Sequence, residues 1–140
     1  MIILDTNVIS EFTKSLTSER VETWLTQQDP LELSTTTVTE AELLVGIAML
    51  PDGRRKIDLE RETIRFLNYL GSRILPFDHD AAQQFPLVAL QRRAARLATD
   101  LADGQIAAIA RLHGATVATR NIADFAHSGI RLIDPWATRP

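Results

Sequence analysis

Four carboxylates in this 140-residue chain occupy positions where an α/β protein gathers its chemistry. Asp5 ends the apolar run Ile2-Ile3-Leu4. Glu42 lies three residues after Thr39 at the head of an apolar stretch. Asp103 precedes Ile106-Ala107-Ala108-Ile109-Ala110, and Asp124 follows Thr119 and Asn121. Carboxylates brought together repel one another and raise their own pKa values unless a cation is shared. The chain has no cysteine, and His79, His113 and His127 show no i, i+4 pairing, so any metal sits chiefly on oxygen. Hard oxygen ligands favour Mg²⁺ or Mn²⁺ over Zn²⁺. Magnesium held by few carboxylates keeps several waters, one of which is a candidate nucleophile for in-line attack on a phosphodiester.

Each residue also has a structural role open to it. Asp5 can cap the following turn through Asn7. Glu42 can complete a capping box begun by Thr39, and Asp103 can do the same with Asp100 as N-cap. Asp124 can be an ordinary loop aspartate. The three histidines read as surface or capping residues, Thr35-Thr36-Thr37 as strand edge and turn, and Trp24 and Trp136 as core or interface anchors. The clusters Arg54-Arg55-Lys56 and Arg92-Arg93 with Arg96 offer a local positive rim to a phosphodiester chain, or simply solvated helix faces.

The elements that must position these groups follow from periodicity. Ile2 to Leu4 reads as a buried strand. Val21, Trp24 and Leu25 fall at helical spacing. A second strand is expected over Leu31 to Thr36, then a helix from about Thr39 to Leu50 stopped by Pro51-Asp52-Gly53. Arg54 to Leu70 carries an amphipathic pattern, and Ile74-Leu75 reads as a brief strand. His79 to Leu97 is helical in composition, with a kink or break expected near Phe85 because Pro86 cannot donate to the preceding turn. A helix from Asp100 to about His113 ends at Gly114, followed by strands at Thr116 to Thr119 and Arg131 to Ile133. This alternation implies a mainly parallel sheet covered on both faces. In such sheets functional groups gather beyond the carboxyl ends of the strands, where Asp5, Asn121 and Asp124 would stand.

Size and composition, with 45% hydrophobic and 24% charged residues, suit a single domain over residues 1–140. No basic leader with a long apolar run opens the chain, and no stretch reaches membrane-spanning length, so a soluble cytoplasmic protein is expected. The net charge of −3 is unusual for a partner of nucleic acid. A site of carboxylates nevertheless counts as negative on paper and binds phosphate once a divalent cation is present.

Four segments, Ile3-Leu4-Asp5-Thr6-Asn7, Thr39-Glu40-Ala41-Glu42-Leu43 with Gly46, Asp103 with Ile106-Ala107-Ala108, and Thr119-Arg120-Asn121 with Asp124-Phe125, resemble in order and separation the PIN-domain ribonucleases of the VapC/FitB toxin group. Pro51 to Arg55, Leu75 to Asp78 and Ile133 to Trp136 resemble the FitB-like branch in particular. The resemblance implies a three-layer α/β sandwich around a parallel sheet and Mg²⁺- or Mn²⁺-dependent cleavage of RNA. It also implies a homodimer inhibited by a cognate antitoxin, within a possible larger toxin–antitoxin assembly. It assigns the metal to Asp5, Glu42, Asp103 and Asp124, with Thr6, Asn7, Thr119 and Asn121 as supporting polar residues. Two positions depart from the family pattern. Gly104 stands where a larger helix former is usual and would loosen the first helical turn by about 1 kcal/mol, and Pro86 interrupts a helix usually continuous. A phosphotransferase using Asp5 as nucleophile commonly needs a second aspartate at the place of Asn7. The remaining alternative is a catalytically silent PIN-fold module that binds RNA or protein.

Overall fold

The computed structural model, which describes residues 1–14 and 16–137, carries five strands: β1 (Ile2–Leu4), β2 (Leu33–Thr36), β3 (Ile74–Leu75), β4 (Thr116–Ala118) and β5 (Arg131–Ile133). They form one sheet in the order β3-β2-β1-β4-β5, parallel at every pairing. The middle strand, β1, is apolar on both sides because both faces are covered. Ile3 and Val117 pack with Leu75 into one core, whereas Leu4 and Ala118, one residue on, belong to the other.

The first core is closed by helices α5 (His79–Ala94) and α6 (Leu101–His113), through Ala81, Val88, Ile106 and Ile109. The second is closed by α1 (Thr6–Thr13), α2 (Glu19–Thr26), α3 (Thr37–Ala48) and α4 (Arg54–Leu70), through Val8, Ile9, Trp24, Leu43 and Leu70. A short helix, α7 (Ile122–Phe125), follows β4 and buries Phe125 beside α6. The result is the expected sandwich of helix, sheet and helix. Among the described residues no helix is long and apolar enough to cross a membrane.

Several local expectations change. The strand expected from Leu31 begins at Leu33, because Pro30 and the Asp29 side chain, which accepts from the Leu31 N–H, set up a 3₁₀ turn first. The N-cap of α3 is Thr36 rather than Thr39: the Thr36 hydroxyl accepts from the Thr39 N–H at 3.1 Å. Glu42 therefore lies in the second turn and is not a capping-box partner. β2 runs between β1 and β3, so Thr35 and Thr36 are interior strand rather than edge while Thr37 opens α3, and the buried Thr35 hydroxyl donates to the Leu4 carbonyl at 2.8 Å.

Helix α5 runs unbroken through Pro86. The proline ring is exposed, so it costs one hydrogen bond on the solvent side while Ala81 and Val88 stay anchored in the core. Gly104, on the facing helix, is buried, and a Cβ there would lie 2.6 Å from the Phe85 ring and 2.7 Å from Thr99 Cγ2. The two departures thus lie on opposite sides of α5, Pro86 towards solvent and Gly104 against the Phe85 ring. The glycine serves close approach and does not loosen the turn.

Candidate active site

The chain steps outward from β1 to β2 and β3, then returns to place β4 on the other side of β1. Beyond the carboxyl ends of β1 and β4 lies the crevice of this topological switch, where open parallel sheets bind ligands. Because Leu4 pairs with Ala118, Asp5 and Thr119 leave the sheet side by side. Asp5 is buried and caps α1. Its Oδ1 accepts from the Thr6 N–H at 2.8 Å, and its Oδ2 accepts from the Thr119 hydroxyl at 2.7 Å and Asn7 Nδ2 at 3.1 Å. Three of roughly four acceptor positions of that carboxylate are thereby filled, leaving room for one further ligand.

The supporting residues form one network. Asn7 Nδ2 also approaches the Thr119 hydroxyl at 3.3 Å, Asn7 Oδ1 accepts from the Arg120 N–H at 3.1 Å, and the Thr119 hydroxyl accepts from the Asn121 N–H at 3.0 Å. The loop after β4 is thus fastened to the start of α1 through the groups that orient Asp5. Thr6 reaches the other way, its hydroxyl donating to Glu42 Oε1 at 3.0 Å.

Asp103 enters from α6. Asp100 caps that helix by accepting from the Ala102 and Asp103 N–H groups. The half-buried Asp103 carboxylate has no hydrogen-bond donor among the described residues. Burial, then repulsion from Asp5, Asp100, Asp124 and Glu42, pushes its pKa up to about 6. Burial also raises Asp5, against the lowering effect of Thr119, Thr6 and Asn7, with Asp124 adding repulsion. Glu42 is raised by desolvation, relieved by the Thr6 hydroxyl and reinforced by Asp5 and Asp100.

The four carboxylates singled out from sequence therefore converge into one electrostatically coupled group. Asp5, Glu42 and Asp103 line a cleft of about 1360 Å³, while exposed Asp124 on α7 acts on Asp5 and Asp103 without lining it. Asp100 joins them, although sequence reasoning gave it only a capping role. Its signal was there: an acid three residues before Asp103 lies on the same side of the helix start. Among the described residues no three acidic or histidine side chains stand at ready-made ligating proximity. The carboxylates are coupled through their field, an arrangement whose repulsion a hard divalent cation relieves.

The two basic clusters part ways. Arg54 and Arg55 line the cleft. Arg92 is buried, and its guanidinium donates to the carbonyls of Ala98, Ala123 and Ala126, so it holds loops rather than a phosphate rim. Trp24 is a core anchor, and Trp136 packs half-buried against the same cluster.

Over residues 2–128 the sequence matches the PIN domain family. It is 41% identical over 138 residues to the plasmid stability protein StbB of Pseudomonas syringae pv. tomato, covering 97% of this chain and 99% of that protein. It is 39% identical over 137 residues to the VapC ribonuclease Y4jK of Sinorhizobium fredii, covering 97% and 98% of the two chains. Toxin FitB of Neisseria gonorrhoeae is 37% identical over 137 residues, with 97% and 99% covered. The structure of FitAcB from Neisseria gonorrhoeae superposes with a TM-score of 0.91 at 35% identity, over 99% of this chain and 100% of the other. A toxin–antitoxin complex from Klebsiella pneumoniae superposes with a TM-score of 0.68 at 28% identity, over 96% and 98%.

Proposed function

The chain belongs to the PIN-domain family, and from that membership we propose that it is a divalent-metal-dependent endoribonuclease, the toxin of a type II toxin–antitoxin pair. Relatives named as a ribonuclease and a toxin, matched almost end to end, support this reading. The observation that carries it is Asp103: a half-buried carboxylate without a donor among the described residues, in the switch-point crevice, raised to about 6 first by burial and then by repulsion from four other acids. A solvated face would not hold it so.

In this reading a single domain over residues 1–140 uses Asp5, Glu42, Asp103 and Asp124 to hold Mg²⁺ or Mn²⁺. The donor set fits such an ion, being all carboxylate. The bound cation would polarise the phosphate and supply a nucleophilic water. Thr119 and Asn7 fix the Asp5 carboxylate in one orientation, Thr6 does so for Glu42, and Asn121, tied to Thr119, closes the β4 side of the cleft. Such fixing of ligands typically changes metal affinity or activity by about 10- to 100-fold. The substrate is RNA, the location cytoplasmic, and the working form a homodimer that a cognate antitoxin inhibits.

The test is cleavage of a labelled total-RNA pool by purified protein in EDTA, Mg²⁺ or Mn²⁺, run beside Asp5→Asn and Asp103→Asn. Cutting that needs the metal and is lost in both variants is expected. A variant that retains normal metal-dependent activity removes its residue from the site. No cutting in either metal, by protein shown free of antitoxin, points instead to a silent binding module.

A further inference from the structure

Arg120 differs from the other cations lining the cleft. Its N–H donates to Asn7 Oδ1, the residue that also donates to Asp5, so its backbone is fixed to the acidic group. Its guanidinium carbon lies 5.2 Å from the centre of the Trp136 ring, and both residues line the cleft with Asp5, Glu42 and Asp103. Trp136 is itself held: its N–H donates to Asp134 Oδ1 at 2.9 Å, its carbonyl accepts from Arg20 at 3.0 Å, and its ring packs against the α1–α4 core.

A guanidinium held over an aromatic ring by cation–π attraction still has N–H donors for other partners. Among the described residues the exposed Arg120 guanidinium donates no side-chain hydrogen bond, although its charge reaches Glu11, the partner of Lys14. Lys14 is paired with Glu11 at 2.6 Å, and Arg61 with Asp58 and Glu62 at 3.3 and 3.4 Å. Arg54 and Arg55 stand on α4, and among the described residues neither bonds to the acidic network. A cleft built of carboxylates repels an RNA strand, so a fixed cation at its wall has a definite use.

We propose that Arg120 is a substrate-binding residue that donates to a non-bridging phosphate oxygen of the RNA strand beside the acidic group, with Trp136 as its positioning platform. The inference rests on the ribonuclease reading. The cation–π contact pre-organises the guanidinium, so less side-chain freedom is lost when phosphate binds. A charge-assisted bond of this kind changes affinity by about 10- to 100-fold.

The test measures binding of a labelled single-stranded oligoribonucleotide of mixed sequence, across salt concentrations in Mg²⁺, to Asp103→Asn protein with and without Arg120→Gln. Loss of one phosphate contact weakens binding about tenfold and makes the slope of log K against log salt shallower by about 0.7. Trp136→Leu weakens binding in the same direction and Trp136→Phe does not. An unchanged slope in Arg120→Gln, whose side chain is exposed and outside the core, overturns the inference while leaving the ribonuclease reading intact. If the parent protein neither binds RNA nor, with Asp103 restored, cuts it, both fall.

Discussion

Replacing Asp103 by Asn should stabilise the metal-free protein at neutral pH although it removes a proposed ligand. The Asp103 pKa of about 6, against an ordinary 3.8, corresponds to about 3 kcal/mol of folded-state destabilisation at full strength. The side chain is only half-buried, so solvent screening reduces this to about 1.5 kcal/mol. Loss of a favourable charge in the first turn of α6 returns about 0.5 kcal/mol. The net gain is about 1 kcal/mol, or about 4 °C in Tm for a chain of this size. Its pH dependence is fixed in sign. The folded-state pKa lies above the unfolded one, so the penalty is absent below about pH 4, grows as pH rises towards 6 and is complete above that. Thermal unfolding of both proteins in EDTA at pH 4 and pH 7.5 reads it directly. A variant no more stable than the parent at pH 7.5, or equally stabilised at both pH values, would refute the reasoning that Asp103 is held charged against its neighbours.

Two further substitutions probe the frame around the site. Gly104→Ala gains helix propensity of about 1 kcal/mol but drives a methyl to within 2.6 Å of Phe85 and 2.7 Å of Thr99. Overpacking of about 2 kcal/mol should win, lowering the urea midpoint, and a raised midpoint would show that α5 and α6 separate freely. Thr119→Val removes the 2.7 Å bond that lowers the Asp5 pKa. Cleavage should fall at least about tenfold and the acid limb of its pH–rate profile should move to higher pH. An unmoved limb would mean that Thr119 does not govern the ionisation of Asp5.

Most of the frame was readable from sequence because its signals are local. Ile2 to Leu4 is apolar at consecutive positions, the usual pattern of a strand buried on both faces. Gly114 ends α6 in the left-handed conformation, with φ at 60°. The misreadings arose where a distant neighbour decides. Thr39 and Glu42 have capping-box spacing, but Thr36, arriving from β2, takes the cap and frees Glu42 to meet Thr6. Pro86 signals a break by its own chemistry, whereas its exposure and the anchoring of α5 against α6 are tertiary facts. Arg92 reads as one of a basic cluster, and only the fold brings three carbonyls to it. For the site, spacing supplied candidates while the β1–β4 register put Asp5 beside Thr119. The action of Asp100 on Asp103 follows from their i, i+3 spacing, whereas its reach to Glu42 depends on how closely α6 approaches α3, which no one-dimensional pattern gives.

The central claim is that Asp5, Glu42, Asp103 and Asp124 together hold the divalent cation. Calorimetric titration of Mn²⁺ into the purified protein at pH 7.5, alongside Asp5→Asn, Glu42→Gln, Asp103→Asn and Asp124→Asn, tests it most directly. Saturable binding that each of the four substitutions weakens by about tenfold or more is the predicted result. Binding of equal strength in the parent and all four variants, or no binding by any of them, would contradict it.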